Sequence, residues 1–597
     1  MKKTIRRRSY TASLAENFTG LSPLLERIYL ARGVVGPGEL DYSLGGLIKP
    51  DLLKGVPAAV ELLIEALQQQ KKICIVGDFD ADGATSTSVC YLCLQAMGFA
   101  AVDYIVPNRF EYGYGLSPEI VEVVARDNAE LLITVDNGIS SIDGVAAAKQ
   151  LGMQVLVTDH HLAGAELPAA DAIVNPNQPG CDFPSKSLAG VGVIFYLMNA
   201  LRAELRRLDW FTRHQLSEPN MAQFLDLVAL GTVADVVPLD ANNRILVYQG
   251  IKRMRAGHCR PGIRALLEIG GRNLQRLTTS DLGFAAGPRL NAAGRLDDMS
   301  LGIRCLLSET AQQATSLAGE LDDLNRERKA IEQSMRAEAF KYLGSISLQQ
   351  RELPSAISLY QKDWHQGVIG ILASRIKDKL NRPTIIFAQG DPGYLKGSGR
   401  SIPGVHLRDA LDEVATLHPG LLSKFGGHAM AAGLSLDEQH LVQFQEAFDA
   451  VVAKQLQNRA PEALILSDGA LQPHEFSLAT AFEIRNGGPW GQHFPEPVFD
   501  GVFRIVQQRI VGSAHLKLVL AAADDNHQLF DAIVFHCDLE LWPNTAADLV
   551  CVAYKLDLNE YQGKQSLQLL VDYIEPFEGA MPAAAPRLSE SPITDEC

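Results

Sequence analysis

"KKICIVGDFDADGATS", residues 71–86, sets the apolar run Ile73–Val76 directly before three aspartates at alternate positions, Asp78, Asp80 and Asp82. The run is short, apolar and closed by a glycine, which is the pattern of a buried strand. Three like charges within one turn repel one another, and solubility does not need that arrangement. A cation held among them would remove the repulsion. A surface turn built from Asp and Gly is the plain alternative. The D-x-D-x-D-G spacing also matches a calcium loop. That loop follows a helix and closes on a glutamate, whereas here a strand-like run precedes and Val89 stands at the closing position, so the calcium reading is excluded.

The pattern recurs downstream. "AVDYIVP" (101–107), "ELLITVD" (130–136) and "MQVLVTD" (153–159) also read as buried strands, each followed by a helical stretch or a Gly/Pro turn. Alternation of this kind predicts a parallel α/β sheet. In such a sheet all strand C-termini share one edge, where ligands bind. Asp136 ends one strand and Asp159, His160 and His161 end the next, so they should converge with Asp78, Asp80 and Asp82. Asp235, in "GTVADVVPL" (231–239), follows an apolar helical run and could close the site. Oxygen-rich ligands with one or two imidazoles suit manganese or magnesium rather than zinc. Five or six carboxylates exceed the need of one ion. Two ions sharing a bridging carboxylate would use them all, and such pairs drive phosphoester hydrolysis.

The chain has 597 residues, room for about three or four domains, and its composition, 47% hydrophobic and 21% charged, is that of a globular protein. A net charge of −16 argues against a protein that coats DNA wholesale, although it does not exclude local basic patches. One such patch, residues 251–277, holds seven Lys or Arg and a single acid, Glu268, and reads as a solvated helix face. The nine cysteines show no disulfide or zinc framework, and Cys90 and Cys93 sit in an apolar helical run where buried thiols are expected. The basic start "MKKTIRRRSY" lacks an apolar segment and no run of 18 apolar residues follows, so a cytoplasmic, non-membrane location is expected.

Organisation follows from pattern. An N-terminal segment (1–70) precedes the α/β domain with the carboxylates (71–300). Residues 301–345, long, charged and free of proline, predict a helix joining two lobes. A second α/β section (346–460) carries two glycine-rich loops. Alternating strands such as "HLKLVLAA" and "SLQLLVDYI" within 461–576 predict a small β-barrel, with an OB-fold as one candidate. The tail 577–597 has the composition of disorder.

"DFDADG", "TVDNG", "TDHH" and "GTVADVVPL", in this order, resemble the four motifs of the DHH phosphoesterase family. "VPNRFEYGYGLSPE", "SKSLAGVGVIFYL", "GPRLNAAGRLDD", "WHQGVIGILASRI", "GSGRSIPG" and "FGGHAMAAG" resemble its branch of single-strand-specific 5′-to-3′ DNA exonucleases, over about residues 15–575. The resemblance implies a DHH domain, a smaller DHH-associated domain and an OB-fold. It also implies two manganese or magnesium ions, single-stranded DNA as substrate, a helicase and a single-strand-binding protein as partners, a monomeric state and a role in recombination and repair. By resemblance, Asp80 binds one ion, Asp82 the other, and Asp136 bridges them. His160 and Asp235 complete the ligands of the second ion, and Asp78 those of the first, directly or through water. Asp159 is a ligand or supports one, and His161 orients the scissile phosphate.

The glycine loops leave backbone amides and Arg400 or His428 free to grip phosphate, with Ser398 and Gly427 beside them; tight-turn chemistry is the alternative. Arg109, Arg289, Asn291, Arg295 and Arg375 are the other candidate substrate contacts, each arginine also compatible with a surface ion pair. A phosphodiesterase for short oligonucleotides or cyclic dinucleotides is the competing reading, and a non-catalytic nucleic-acid-binding factor a third. The intact carboxylates oppose the last; the long helix and the barrel exceed what a dinucleotide requires.

Overall fold

The computed structural model describes residues 2–10, 18, 20–108, 111–112, 115–349, 353–457, 459, 461–522, 528–561 and 564–578. Contacts divide it into two compact units, Leu40–Glu462 with Pro489–Phe494, and Lys2–Glu39 with Ala463–Gly488 and the chain from Pro495. Residues 1–70, read as one segment, are thus shared between the units. A short first strand, β1 (Thr4–Arg7), belongs to the second.

In the first unit the expected runs form β2 (Ile73–Val76), β3 (Val102–Ile105), β4 (Leu131–Val135) and β5 (Gln154–Thr158), extended by β6 (Ala172–Val174). All neighbours are parallel, in the order β3-β2-β4-β5-β6. From β2 the chain crosses to β3 on one side and then returns to β4 on the other. The C-terminal ends of β2 and β4 therefore flank the reversal point, where open α/β sheets form their binding crevice. Every residue of β4 is buried, as expected of a central strand covered on both faces. Helices Pro118–Arg126 and Ile142–Gln150 cover one face, with Ile120, Val124, Val145 and Ala148 packed on Val76, Leu132, Val155 and Val157.

The long helix runs from Ala311 to Gln349. Its expected start at 301 falls instead in a separate helix, Ser300–Leu306. The break is local: Thr310 begins the long helix by accepting the Gln313 N–H on its hydroxyl, 3.3 Å, a capping arrangement Thr favours. Its C-terminal half packs Met335, Ala339 and Leu343 into the core of the second lobe, and Trp364 Nε1 donates to Glu338 at 3.0 Å. That lobe is a mixed sheet of β7 (Ile357–Tyr360), β8 (Thr384–Gln389), β9 (Tyr394–Arg400), β10 (Lys424–Gly427) and β11 (Ala431–Asp437), in the order β10-β11-β9-β8-β7. Only β7 and β8 pair in parallel.

The second unit contains β12 (Leu464–Ser467) and a closed barrel. The barrel strands are β13 (Phe499–Val511), β14 (His515–Ala522), β15 (Leu529–Val534), β16 (Leu549–Tyr561) and β17 (Lys564–Pro576), in the order β13-β14-β15-β17-β16. Phe499, Phe503, Phe530 and Tyr554 are buried in it, and Phe476 packs on them in edge-to-face, tilted and stacked contacts. β1 pairs with β12 in parallel register, Thr4 opposite Leu464. Arg32 is buried against Asp468 at 2.8 Å, which holds the N-terminal helix Pro23–Leu30 in this unit. The tail lies outside the described residues from 579 onward. Cys90 and Cys93 are fully buried free thiols.

Candidate active site

The loop after β2 is held by glycine. A Cβ at Gly83 would lie 2.5 Å from the Asp78 carbonyl oxygen, so only glycine lets the helix Ala81–Ala96 start this close to the strand. Asp80 caps that helix, accepting the amides of Asp82 at 2.9 Å and Gly83 at 3.0 Å. Asp82 is buried at the start of the same helix, its carboxylate taking the amides of Gly190 (2.6 Å) and Val191 (3.0 Å). Those amides open helix Gly190–Arg207, whose N-terminal partial charge favours an anion. A Cβ at Gly190 would fall 2.6 Å from Asp136, and one at Gly231 2.9 Å from Asp82. The two glycines let three chain segments close on the carboxylates.

Asp136 follows β4 with φ +63° and is buried. Asp235 stands at the C-cap of helix Leu225–Ala234, where helix carbonyls already make the potential negative. His160 Nε2 lies 3.1 Å from Asp136 Oδ1 and 3.5 Å from Asp235 Oδ2, yet has no hydrogen-bond partner among the described residues. A buried nitrogen left this way among carboxylates fits a metal ligand. One ligand atom each from Asp78, Asp80 and Asp136 lies within 4.8 Å of the others; so it is for Asp82, His160 and Asp235, and for Asp136, His160 and His161. Asp136 and His160 each belong to two of these overlapping groups.

The crowding shows in the ionisation of these groups. Burial, then repulsion from Asp235, pushes the Asp82 carboxyl up to about 7. Burial, then Asp80, pushes Asp235 up to about 8, and burial with the surrounding carboxylates raises Asp136 well above its usual range. Divalent cations relieve this repulsion, and a set rich in carboxylate oxygens with few imidazoles suits manganese or magnesium.

Asp159 takes a different part. Its carboxylate accepts the amides of Ile139, His160 and His161 and faces His161 Nδ1 at 2.7 Å. Burial opposes charge on both members of the pair. The hydrogen bond and the surrounding opposite charges together outweigh it, holding Asp159 below its usual range and lifting His161 to about 9.

The substrate candidates separate into two groups. Ser398 and Arg400 lie on β9, with Arg400 Nη1 donating to Ser398 Oγ (3.3 Å) and to the Gly399 carbonyl (2.8 Å). No acid pairs with Arg400 among the described residues, and burial pushes its guanidinium pKa down. A Cβ at Gly370 would lie 2.8 Å from Ser398 Oγ and 3.1 Å from Arg400 Nη2. This is a cationic cradle suited to an anion. His428 follows Gly427 (φ +144°) and is exposed; burial and then repulsion from His161 lower its pKa, so the loop reaches the field of the metal-site histidines. The second group is engaged with protein. Arg289 is paired with Asp322 at 2.8 Å, Arg375 with Glu332 at 2.8 Å, Arg295 donates to the Gly367 carbonyl at 3.0 Å, and Asn291 Oδ1 accepts the Ala81 amide at 2.7 Å. Arg109 lies outside the described residues.

Supporting residues absent from the sequence reading include Gly190 and Asn177, whose side-chain amide donates to the His160 carbonyl at 2.6 Å. The asparagine-rich turn "NPNQP" after β6, at the same sheet edge, was the available signal.

Comparison with known proteins agrees with this geometry. Residues 72–232 match the DHH family N-terminal domain, 353–454 the DHHA1 domain and 467–573 the RecJ OB domain. The single-stranded-DNA-specific exonuclease RecJ of Escherichia coli is 53% identical over 97% of this chain and 100% of its own length. Crystal structures of Thermus thermophilus RecJ with Mn2+ and with Mg2+ superpose with TM-scores of 0.75 and 0.70. They are 31% and 29% identical and cover 95% of this chain, and 78% and 76% of their own. With its first lobe, its second lobe and its barrel all matched, the chain belongs to the RecJ family of DHH phosphoesterases.

Proposed function

We propose that this protein is a single-stranded-DNA-specific exonuclease that shortens its substrate from the 5′ end to mononucleotides, in recombination and repair. The observation that carries the reading is the gathering of Asp78, Asp80, Asp82, Asp136, His160 and Asp235 at one sheet edge, in the same unit as Arg400, with which no acid pairs among the described residues. Asp78, Asp80 and Asp136 would hold one divalent ion and Asp82, His160 and Asp235 the other, with Asp136 shared. Two such ions, manganese or magnesium, supply an activated water and neutralise charge developing on the phosphate.

The chain's own groups do the rest. Asp159 keeps His161 cationic and fixed in direction, so its Nε2–H can donate to an oxygen of the scissile phosphate. Arg400, Ser398 and His428 take the 5′-terminal phosphate and set which linkage lies at the metals; Arg109, outside the described residues, is a further candidate for that contact on its sequence motif alone. Arg289 and Arg375 tie the long helix to the flanking lobes, so they act on substrate through the framework. On the barrel, Arg509 and Lys517 stand opposite each other on β13 and β14, a basic pair suited to a strand backbone. Arg504 and Lys517 also face Asp548 and Asp531, at 3.1 and 3.7 Å.

Residues 71–300 carry the chemistry, 346–460 grip the end, and 461–576 retain the strand. One chain holds every proposed ligand, which supports a monomer. Selectivity for single strands implies a helicase and a single-strand-binding protein as suppliers. No described helix is long and apolar enough to cross a membrane, and buried free thiols fit the reducing cytoplasm. The test is digestion of end-labelled single-stranded and duplex DNA with manganese, magnesium or EDTA. Loss of label from the 5′ end of single strands alone, abolished by EDTA, is expected; equal digestion of duplex or activity in EDTA would overturn the reading.

A further inference from the structure

We propose that the phosphate cradle of the second lobe is mechanically coupled to the metal-binding loop of the first, with Gly367, Arg295, Gly294 and Asn291 as positioning residues. The coupling rests on the terminal-phosphate reading of Ser398 and Arg400. The path begins at Gly370, in the first turn of helix Ile369–Leu380, which leaves no room for a side chain beside Ser398 and Arg400. Three residues earlier the same segment is clamped to the first lobe. A Cβ at Gly367 would lie 2.1 Å from the Arg295 carbonyl oxygen, and Arg295 Nη1 returns a hydrogen bond to the Gly367 carbonyl at 3.0 Å.

The clamp continues without a gap. Gly294, beside Arg295 on helix Gly287–Leu296, meets the Phe79 carbonyl so closely that a Cβ would sit 1.7 Å from it. One turn back, Asn291 accepts the Ala81 amide at 2.7 Å. Phe79 and Ala81 alternate with Asp78, Asp80 and Asp82. From Gly367 to the metal-binding loop each junction sets backbone against backbone or a side chain against backbone, and such close-packed contacts transmit a shift rather than absorb it. An anion drawn onto Arg400 moves the side chains packed against the start of helix Ile369–Leu380, and that displacement is delivered to the loop that spaces the carboxylates. Coupling must be reciprocal: a filled terminal-phosphate cradle raises metal affinity by the factor by which metal raises affinity for the phosphate.

Sequence reading offers Arg295 as a substrate contact. In the structure its guanidinium joins the two lobes, and the glycines around it are sites of close approach rather than turns. Couplings of this kind are typically worth about 5–150-fold in affinity.

The test titrates Mn2+ into the full-length protein and follows free Mn2+ by its paramagnetic resonance signal. A short single strand with hydrolysis-resistant linkages is present at saturation, carrying either a 5′-phosphate or a 5′-hydroxyl. In the wild type the phosphorylated strand should tighten Mn2+ roughly tenfold more than the hydroxyl strand. In Gly367→Ala, and independently in the milder Arg295→Lys, that ratio should collapse toward one. Because the readout is a ratio within each variant, a general loss of stability does not mimic it, and Arg295→Lys stands in if Gly367→Ala fails to fold. Tighter binding of the phosphorylated strand with equal Mn2+ affinity for both strands would overturn the coupling alone. So would a ratio that survives both substitutions. Equal binding of the two strands to the wild type would overturn the cradle and the coupling together.

Discussion

Removing the metal should invert the protein's response to pH. In the folded apoprotein burial and mutual repulsion lift Asp82 from 3.8 to about 7 and Asp235 to about 8. A carboxyl raised in the folded state binds protons that the unfolded chain has released, so between about pH 4 and 8 stability falls as pH rises. Raising a carboxyl pKa by one costs its charged form about 1.4 kcal/mol, so ionising Asp82 alone costs about 4 kcal/mol. The Asp235 contribution is not added, because both groups feel the same repulsion. For a unit as long as Leu40–Glu462, roughly 1 °C of Tm accompanies each kcal/mol, giving a fall of about 4 °C from this source. Saturating Mn2+ removes the repulsion, and binding at about 100 times Kd adds about 2.7 kcal/mol of its own. The assay is thermal unfolding from pH 5 to 7.5 in EDTA and in Mn2+. The gap between the two curves should widen with pH, and Asp82→Asn should flatten the EDTA curve. A gap that stays constant, or an EDTA curve unaffected by Asp82→Asn, would refute the reasoning.

Asp136→Ala should abolish hydrolysis, measured by nucleotide release, while DNA retention on filters persists; Ile139→Val, which keeps the amide that holds Asp159, should remain active at a stability cost of about 1 kcal/mol. Near-normal turnover of Asp136→Ala in manganese would sink the shared-ligand assignment. Arg400→Ala should weaken binding of 5′-phosphorylated strands about 10–100-fold, the loss of a charge-assisted contact of about 1.5–3 kcal/mol, with little change for 5′-hydroxyl strands. Digestion from the 3′ end would refute the polarity. Replacing Arg509 and Lys517 together by alanine should lower the salt dependence of long-strand binding by about two phosphate contacts and spare cleavage of very short strands. An equal effect on both lengths would make the barrel a folding support.

The fold was legible wherever a local pattern carried it. Ile73–Val76 and Leu131–Val135 are apolar runs too short for helices, and carboxylates at their ends fall on the binding edge of any parallel sheet. The barrel strands β14 and β15 alternate with the period of two that a half-buried strand imposes. The long helix was legible for its length and charge but not for its start, because a threonine cap at 310 outweighed a pattern that continues through it. Arg289 and Arg295 could be read either as substrate contacts or as ion-pair partners. An arginine among glycines looks alike whether it meets a phosphate, Asp322 or the Gly367 carbonyl.

Which chemistry is possible was therefore written in the order and spacing of residues, because strand ends and helix caps depend on neighbours a few positions away. Three-dimensional packing decided which groups come together. Asp82 is held by amides more than a hundred residues distant, and β1 pairs with a strand over 450 residues later. Arg400 is buried with no acid beside it among the described residues, whereas Arg295 is engaged by the Gly367 carbonyl. A charged side chain takes the partner that the closed fold brings within about 3 Å, and no local pattern encodes that distance.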